Sequence, residues 1–341
     1  MRIPEFLKEN GSIGFVAPSF GCNIEPYKSA FDNAQKKFTQ MGYKMVVGPN
    51  CYEGSGIGIS NTPEKCGDEL NDFIINSKAD VIISCGGGEL MCETLDFVDF
   101  DSINKAKPIW YMGFSDNTNM TFLLPVLCDT AAIYAPCAPA FGMREWHQSV
   151  EDAFKILIGK KSTVNGYDKW EKESLKTEEN PLEPYNLTEP RILKSFNCGD
   201  EVSMEGRLIG GCLDCLSNLV GTRYDKVREF NNKYKEDGII WFFEACDLNV
   251  MGIRRALWQL KSAGWFENLK GFMVGRPLCF GENFLGLDQY EAVTGVLGEF
   301  GVPVIMDLDI GHLSPMMPLV VGSYADVRVK GNDISVNMKL K

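Results

Sequence analysis

Residues Asp80 to Ser84 read Asp-Val-Ile-Ile-Ser, an apolar run without the alternation of a half-exposed strand. A strand that is apolar on both faces is buried on both, and that requires a parallel sheet covered by helices. The flanking pattern agrees. Ser12 to Ala17 predicts a first strand stopped by Pro18, and Tyr27 to Met41 carries Phe31, Ala34, Phe38 and Met41 at helical spacing before Gly42. Tyr43 to Val47 predicts a second strand, and after a Gly-rich loop from Gly54 to Gly58, Pro63 to Ile75 predicts a second helix. Strand, helix and strand in alternation imply right-handed crossovers and an α/β first half.

Two turns in this half carry chemistry. Cys85-Gly86-Gly87-Gly88-Glu89 follows the buried strand and opens a helix bearing Leu90, Leu95 and Val98. Three glycines let a backbone approach a ligand and aim its N–H groups at it. The loop could cradle a phosphate, complete an oxyanion hole or merely turn the chain, since the G-x-G-x-x-G and Walker A spacings are both absent. The second turn is Ile109 to Thr118, Ile-Trp-Tyr-Met-Gly-Phe-Ser-Asp-Asn-Thr, which places Ser115 between a short apolar strand and a helix over Thr118 to Leu127. A serine nucleophile needs a base and fixed donors for its oxyanion, and the N–H of Asp116 at a helix start is such a donor. The pattern resembles a nucleophile elbow, but Asn117 stands at the second glycine of that motif. A Ser or Asp cap on an ordinary helix is the plainer alternative.

Composition excludes several classes. A net charge of −12 without clustered Lys or Arg argues against a nucleic-acid surface, and no segment is long and uncharged enough to span a bilayer. Met1 to Gly11 has no apolar core of a signal peptide, so the twelve cysteines read as free thiols in a reducing cytoplasm. Cys212-Leu-Asp-Cys215 has a C-x-x-C spacing, yet no second pair exists and His147 and His312 are the only histidines, so no metal site is expected. At 341 residues two domains are expected: 1–145, then a connecting segment 146–200, then 201–341. Within the connection, Lys160 to Pro190 is polar and aperiodic, and its Trp170 and Tyr185 could cap a substrate or cover the core.

The second half restarts with a strand over Glu205 to Ile209, Gly210-Gly211, and a helix through Leu216 and Leu219. Gly238 to Phe243 is a strongly apolar strand delivering Glu244 at its end, where a ligand-facing carboxylate is expected. Asn249 to Ala263, Gly271 to Gly275, Gln289 to Phe300 and Val302 to Met306 read as helix, strand, helix and strand, and His312 follows on a loop after Gly311. The tail from Leu319 alternates as an antiparallel pair turning at Lys330 to Asp333. Of the two histidines, His312 is the better general base, because His147 lies in the polar run Arg-Glu-Trp-His-Gln. Ser115, Glu244 and His312 stand in one of the chain orders that triads use.

Gly-Phe-Ser115-Asp, Phe-Phe-Glu244-Ala-Cys-Asp, Gly-His312 and Glu205-Gly-Arg-Leu-Ile-Gly-Gly together resemble the LD-carboxypeptidase and microcin C immunity family of serine peptidases, from about Ile13 to Val329. The resemblance implies a Rossmann-like or flavodoxin-like N-terminal domain carrying the nucleophile, a C-terminal mixed α/β domain carrying Glu and His, and an active site in the cleft between them. It implies Ser115 as nucleophile, His312 as base and Glu244 as its orienting acid, with an oxyanion hole from the N–H of Asp116 and one of Gly87 or Gly88. It also implies no metal or organic cofactor, and a homodimer. The substrate would be a small peptide or peptide–nucleotide conjugate, such as a muropeptide with an LD-bond or a microcin C-like aminoacyl-nucleotide.

The chain departs from the family at one place. Muropeptide-cleaving members carry Arg-Gly-Gly-Tyr-Gly after the third strand, and alignment puts Gly86 at the Arg and Glu89 at the Tyr. Arg is the natural forked partner of a terminal carboxylate, and Glu89 would repel one. Glu89 is therefore assigned to a cationic or hydroxyl-bearing group of a different substrate, the alternative being a first-turn helix residue favoured by the dipole. An α/β-hydrolase-type esterase and a non-catalytic cleft-binding protein are the competing functions.

Overall fold

The buried run at 80–84 lies at the centre of a parallel sheet in the computed structural model, which describes residues 1–340. The chain forms two compact units, Met1–Lys161 with Glu173–Asn186, and Ser162–Lys172 with Leu187–Lys341. Residues 146–200, read as a connection, are thus shared out between the two.

The first unit holds strands β1 (Ser12–Val16), β2 (Lys44–Val47), β3 (Val81–Ser84), β4 (Trp110–Gly113) and β5 (Ala132–Tyr134). They pair in parallel in the order β2-β1-β3-β4-β5. This is the flavodoxin-like order, whose direction reverses between β1 and β3, the place where such sheets bind ligands. Helices α1 (Tyr27–Gln40), α2 (Pro63–Ile75) and α3 (Gln148–Leu157) belong to this unit. α1 buries Ala30, Phe31, Ala34 and Phe38, the apolar stripe of the sequence. α2 starts at Pro63 behind a Thr62 cap that accepts the Lys65 N–H. Leu70, Phe73 and Ile74 of α2 join Val16, Ile82, Met91, Tyr111, Met120 and Leu124 in one core cluster.

Two helices are shorter than predicted. The helix expected over Thr118 to Leu127 is two segments, Thr118–Thr121 and Leu123–Cys128, and Pro125 has no N–H to return to the Thr121 carbonyl. The helix after the glycines begins only at Met91, ends at Thr94 and tightens to a 3-10 turn over Leu95–Phe97.

The second unit is a mixed sheet of eight strands. Its strands are β6 (Thr163–Asn165), β7 (Lys194–Phe196), β8 (Glu201–Cys212), β9 (Ile239–Glu244), β10 (Leu269–Gly275), β11 (Val304–Leu308), β12 (Tyr324–Lys330) and β13 (Asp333–Lys339). The order is β6-β13-β12-β8-β9-β10-β11-β7, with β8 to β11 parallel and the flanking strands antiparallel. From Tyr324 the tail pairs as predicted, Lys330 opposite Asp333, while Leu319–Val321, expected in the same pair, is a separate strand. β8 is far longer than the five residues expected from Glu205 to Ile209, and it runs through Gly210, where a side chain would strike the Phe242 carbonyl of β9. β6 is a correction too: it lies in the polar stretch read as a surface excursion, and it is too short to show a period. Helices α4 (Leu213–Leu219), α5 (Val250–Ser262) and α6 (Gln289–Leu297) complete the unit. No helix among the described residues is long and apolar enough to cross a membrane.

One buried carboxylate braces the first sheet. Glu69 of α2 is 3% exposed and accepts the N–H of Ala17 at 2.7 Å and of Asn50 at 2.9 Å, tying the loops that leave β1 and β2. Burial pushes its carboxyl from 4.5 up to about 7, against the pull of those hydrogen bonds. A carboxyl raised in the folded state leaves the unfolded chain with fewer bound protons between the two values, so stability falls as pH rises from the unfolded value to about 7. Relative to Glu69→Gln, the native chain is predicted to lose about 3 kcal/mol between pH 4.5 and pH 8. Urea unfolding of both proteins across that range checks this, and a constant difference refutes it.

Candidate active site

β4 ends at Gly113, and two residues later Ser115 takes φ +62°, a left-handed backbone that a serine rarely adopts. Its N–H donates to the Tyr134 hydroxyl at 3.3 Å, from the end of β5. Asn117 holds the turn from the other side. Its amide Nδ2 donates to the carbonyls of Gly86 at 2.7 Å and Phe114 at 3.1 Å, and its Oδ1 accepts the Tyr111 hydroxyl at 2.5 Å. One side chain thus locks the glycine loop, the elbow and β4 together.

Gly87 faces the serine directly. A Cβ there would lie 2.8 Å from both Cβ and Oγ of Ser115 and 3.8 Å from the Asp116 nitrogen, so only glycine fits. Its carbonyl accepts the Phe20 N–H at 2.7 Å, which turns the N–H of the trans peptide at Gly88 away from Phe20. Gly88 itself packs on Ser19 and the Gly58 carbonyl. The Asp116 carboxylate accepts the Ser19 hydroxyl at 2.5 Å, the Met91 N–H at 2.9 Å and the Asn119 amide at 3.0 Å. It fixes the elbow to the loops after β1 and β3.

In the second unit, β9 carries six fully buried residues and ends at Glu244, 1% exposed. The loop after β11 passes this carboxylate at Gly311, whose φ is +104° and whose missing Cβ would lie 2.7 Å from Glu244 Oε2. Next comes His312, its Nδ1 2.8 Å from Oε2 of Glu244. Burial pulls the imidazole pKa down, but the Glu244 carboxylate and the hydrogen bond with Cys246 outweigh it and hold the group well above its ordinary 6.5.

A buried ion pair anchors that loop. Asp309 accepts the Arg276 guanidinium at 2.5 Å and the Tyr167 N–H at 2.7 Å, and Arg276 also donates to the Asp307 carbonyl at 2.7 Å. Trp170 lies over the Arg276 guanidinium, with 4.9 Å between its ring centroid and Cζ, and packs edge-on to Phe280. Trp170 therefore covers core. Tyr185 meets His147 in the first unit, and His147 caps α3 by accepting the Ser149 N–H at 3.1 Å.

Of the residues singled out from sequence, the first unit gathers Ser115, Asp116 and Gly87, and the second unit pairs Glu244 with His312. Glu89 is exposed and donates its N–H to the Gly58 carbonyl at 3.1 Å. The helix beyond it begins at Met91 with Leu90 as cap, so Glu89 precedes that helix rather than lying in its first turn. Sequence reading missed Tyr134, Arg276 and Asp309, which carry no motif. Asn117 was visible only as a departure from the elbow. Among the described residues no cluster of His, Cys, Asp and Glu is arranged to hold a metal ion.

The family model of the LD-carboxypeptidase N-terminal domain matches residues 13–135, and that of the C-terminal domain matches 205–327. The chain belongs to the LD-carboxypeptidase family. It is accordingly a hydrolase with the family's peptidase activity. Within that family, the microcin C7 self-immunity protein MccF of Escherichia coli is 27% identical over 97% of this chain and 94% of its own. The structure of MccF in complex with glutamyl sulfamoyl guanosine matches with a TM-score of 0.80 at 25% identity, covering 98% of both chains. An MccF-like protein from Bacillus anthracis matches with a TM-score of 0.84 over 100% of both chains at 20% identity, a likeness of fold.

The contact between Gly87 and Ser115 yields a prediction. Gly87→Ala would push the serine off its position while leaving the sheet untouched, and a displacement of this kind costs about a hundredfold in turnover. The expected result is a fall in kcat on that scale with the melting temperature within a few degrees of native, read by steady-state kinetics and circular dichroism.

Proposed function

We propose that the chain is a serine peptidase in which Ser115 is the nucleophile, His312 the general base and Glu244 the carboxylate that orients it. The observation that carries this reading is the hydrogen bond between a fully buried Glu244 and His312 Nδ1. It fixes the tautomer with the proton on Nδ1 and leaves Nε2 to accept one.

Ser115 attacks the scissile carbonyl while His312 takes its proton, and the tetrahedral oxyanion is held by the N–H of Asp116 and one from Gly87 or Gly88. His312 then hands the proton to the leaving amine, the acyl-serine forms, and water repeats the sequence to release the acid. Two features support the serine as nucleophile: its left-handed backbone, which is maintained at a cost, and a glycine kept bare against its hydroxyl.

The substrate we assign is an amide in a small conjugate of the aminoacyl-nucleotide kind. Similarity to MccF, bound in one structure to glutamyl sulfamoyl guanosine, supports this over a muropeptide. So does Glu89, which we read as facing a cationic or hydroxyl-bearing group. The reading extends to a cytoplasmic homodimer, in keeping with the resemblance and with twelve free thiols.

Ser115→Ala is expected to lower turnover by at least a thousandfold and to abolish fluorophosphonate labelling. Turnover of an aminoacyl sulfamoyl nucleoside is expected to exceed release of D-Ala from a muropeptide tetrapeptide; efficient D-Ala release would overturn the substrate assignment. Unchanged turnover in Ser115→Ala would overturn the catalytic one.

The pH dependence follows from the sign of the His312 perturbation. A base must be neutral to act, and the carboxylate beside it favours the protonated form, so kcat/KM should rise with pH through a midpoint above the ordinary 6.5. Glu244→Gln removes the charge, and the midpoint is expected to fall while the maximum drops about ten-thousandfold.

A further inference from the structure

Cys212-Leu-Asp-Cys215 is the spaced motif to which the proposed reaction gives no role. In the structure its working residue is the aspartate. Cys212 ends β8 and immediately precedes α4, so Asp214 lies in the first turn of that helix. β8 and β9 are parallel neighbours with Cys212 in register with Glu244, which sets Asp214 beside the loop that leaves β9. The carboxylate grips that loop. Oδ2 accepts the Cys246 N–H at 3.0 Å and the Cys212 thiol at 3.2 Å, and Oδ1 accepts the N–H groups of Asp247 at 2.9 Å and Leu248 at 3.2 Å. Three consecutive backbone donors on one ionised acceptor form a strong, geometrically specific clamp.

The clamped residues lead straight to the histidine. Cys246 hydrogen-bonds His312 through its side chain, and Glu244, two residues earlier, holds Nδ1. Both groups bear on His312; Asp247 bears in turn on Cys246, and Asp309 on the histidine's own loop is engaged by Arg276.

We propose that Asp214 is a positioning residue for His312: by holding the backbone of residues 246–248 it fixes Glu244 and Cys246 against the imidazole, so that the base keeps its aim. The proposal rests on the triad reading above. Neither thiol of the motif is required to bind metal or change redox state for this to hold.

The test uses the scarcity of histidines. With only His147 and His312 in the chain, NMR titration of labelled histidine follows His312 directly, and His147→Gln assigns the signals. In Asp214→Asn the carboxamide offers one acceptor oxygen and turns an NH2 toward the loop, so the grip fails. The His312 midpoint is expected to fall by roughly half a pH unit or more. kcat should drop about tenfold to a hundredfold with KM near native. Asp225→Asn is the control for plain destabilisation. That carboxylate accepts the Trp265 indole N–H at 3.0 Å and the Gly221 N–H at 2.9 Å, and its loss should lower stability without moving the His312 titration.

If Asp214→Asn does not fold, Asp214→Glu decides, since it keeps the carboxylate and its charge but lengthens the side chain by one methylene and displaces the grip on residues 246–248; a lowered midpoint supports the proposal. An unshifted midpoint in that case, or an unshifted midpoint and native kcat in a folded Asp214→Asn, would make Asp214 a brace of the loop after β9 and nothing more. The NMR readout needs no turnover. Full activity of Ser115→Ala and His312→Ala would sink the triad reading by itself, while native activity in Asp214→Asn alone would sink only the clamp.

Discussion

The left-handed backbone at Ser115 is the constraint on which the first unit's arrangement depends. A non-glycine residue in that region costs on the order of 1–3 kcal/mol and persists only where its neighbours over-determine it. Here they do. Tyr134 takes the serine N–H, the Asp116 carboxylate is bound from three directions, and Asn117 is bound by three partners at once. The usual elbow has a glycine on each side of the serine; this chain keeps the first at Gly113, where a Cβ would come within 2.8 Å of the Asn117 side chain, and puts Asn117 in place of the second. The departure from the motif is thus a substitution of one brace for another. It also explains why the glycine loop cannot drift, since the Asn117 amide holds Gly86 by its carbonyl.

The second unit solves a different difficulty, that of burying a carboxylate beside an imidazole. An unpaired buried charge is expensive, and pairing offsets the cost only with good geometry and further hydrogen bonds. Glu244 gains its geometry from a strand that cannot move, because all six residues of β9 are buried between β8 and β10. His312 gains its own from a loop pinned two ways, by Arg276 on Asp309 and by a glycine that lets the chain pass close to Glu244. Asp307, whose φ is +63°, accepts from Tyr290 and Gln289, so the end of β11 that feeds the loop is braced as well.

How much of this was legible follows from what each residue does. The strands that fix the fold are continuous apolar runs, and such a run shows directly: Val81–Ser84 and Ile239–Glu244 were read within a residue at either end. Ser115, Glu244 and His312 were legible because each follows such a run, and a family resemblance joined them. Gly87 was read among three glycines, but only geometry tells it from Gly88. The braces were not legible. Tyr134 is one more aromatic in an apolar strand, Arg276 one cation after another, and Asp214 lay inside a cysteine spacing that drew the eye to sulfur. A carboxylate that grips a loop 32 to 34 positions away has no local period. The edge strand Thr163–Asn165 was hidden for the same reason, since its pairing with Asp333–Lys339 is set by a partner far along the chain.

Both units deliver their chemistry at the carboxyl ends of parallel strands. Gly86 to Gly88 follow β3, Ser115 follows β4, Glu244 ends β9, Arg276 follows β10 and His312 follows β11. Such ends are rigid because the strands behind them are buried, and the loops beyond them are free to vary without disturbing the sheet. The Ser115 turn and the His312 loop are each held in place by several hydrogen bonds. Glu89 is built otherwise: it lies past the glycines, ahead of a short helix, exposed, with its backbone on Gly58 and its Cβ 3.2 Å from where a side chain at Gly58 would begin. Ile57 beside it is 84% exposed. Change at that exposed edge leaves the left-handed turn at Ser115 and the Glu244–His312 pair as they are.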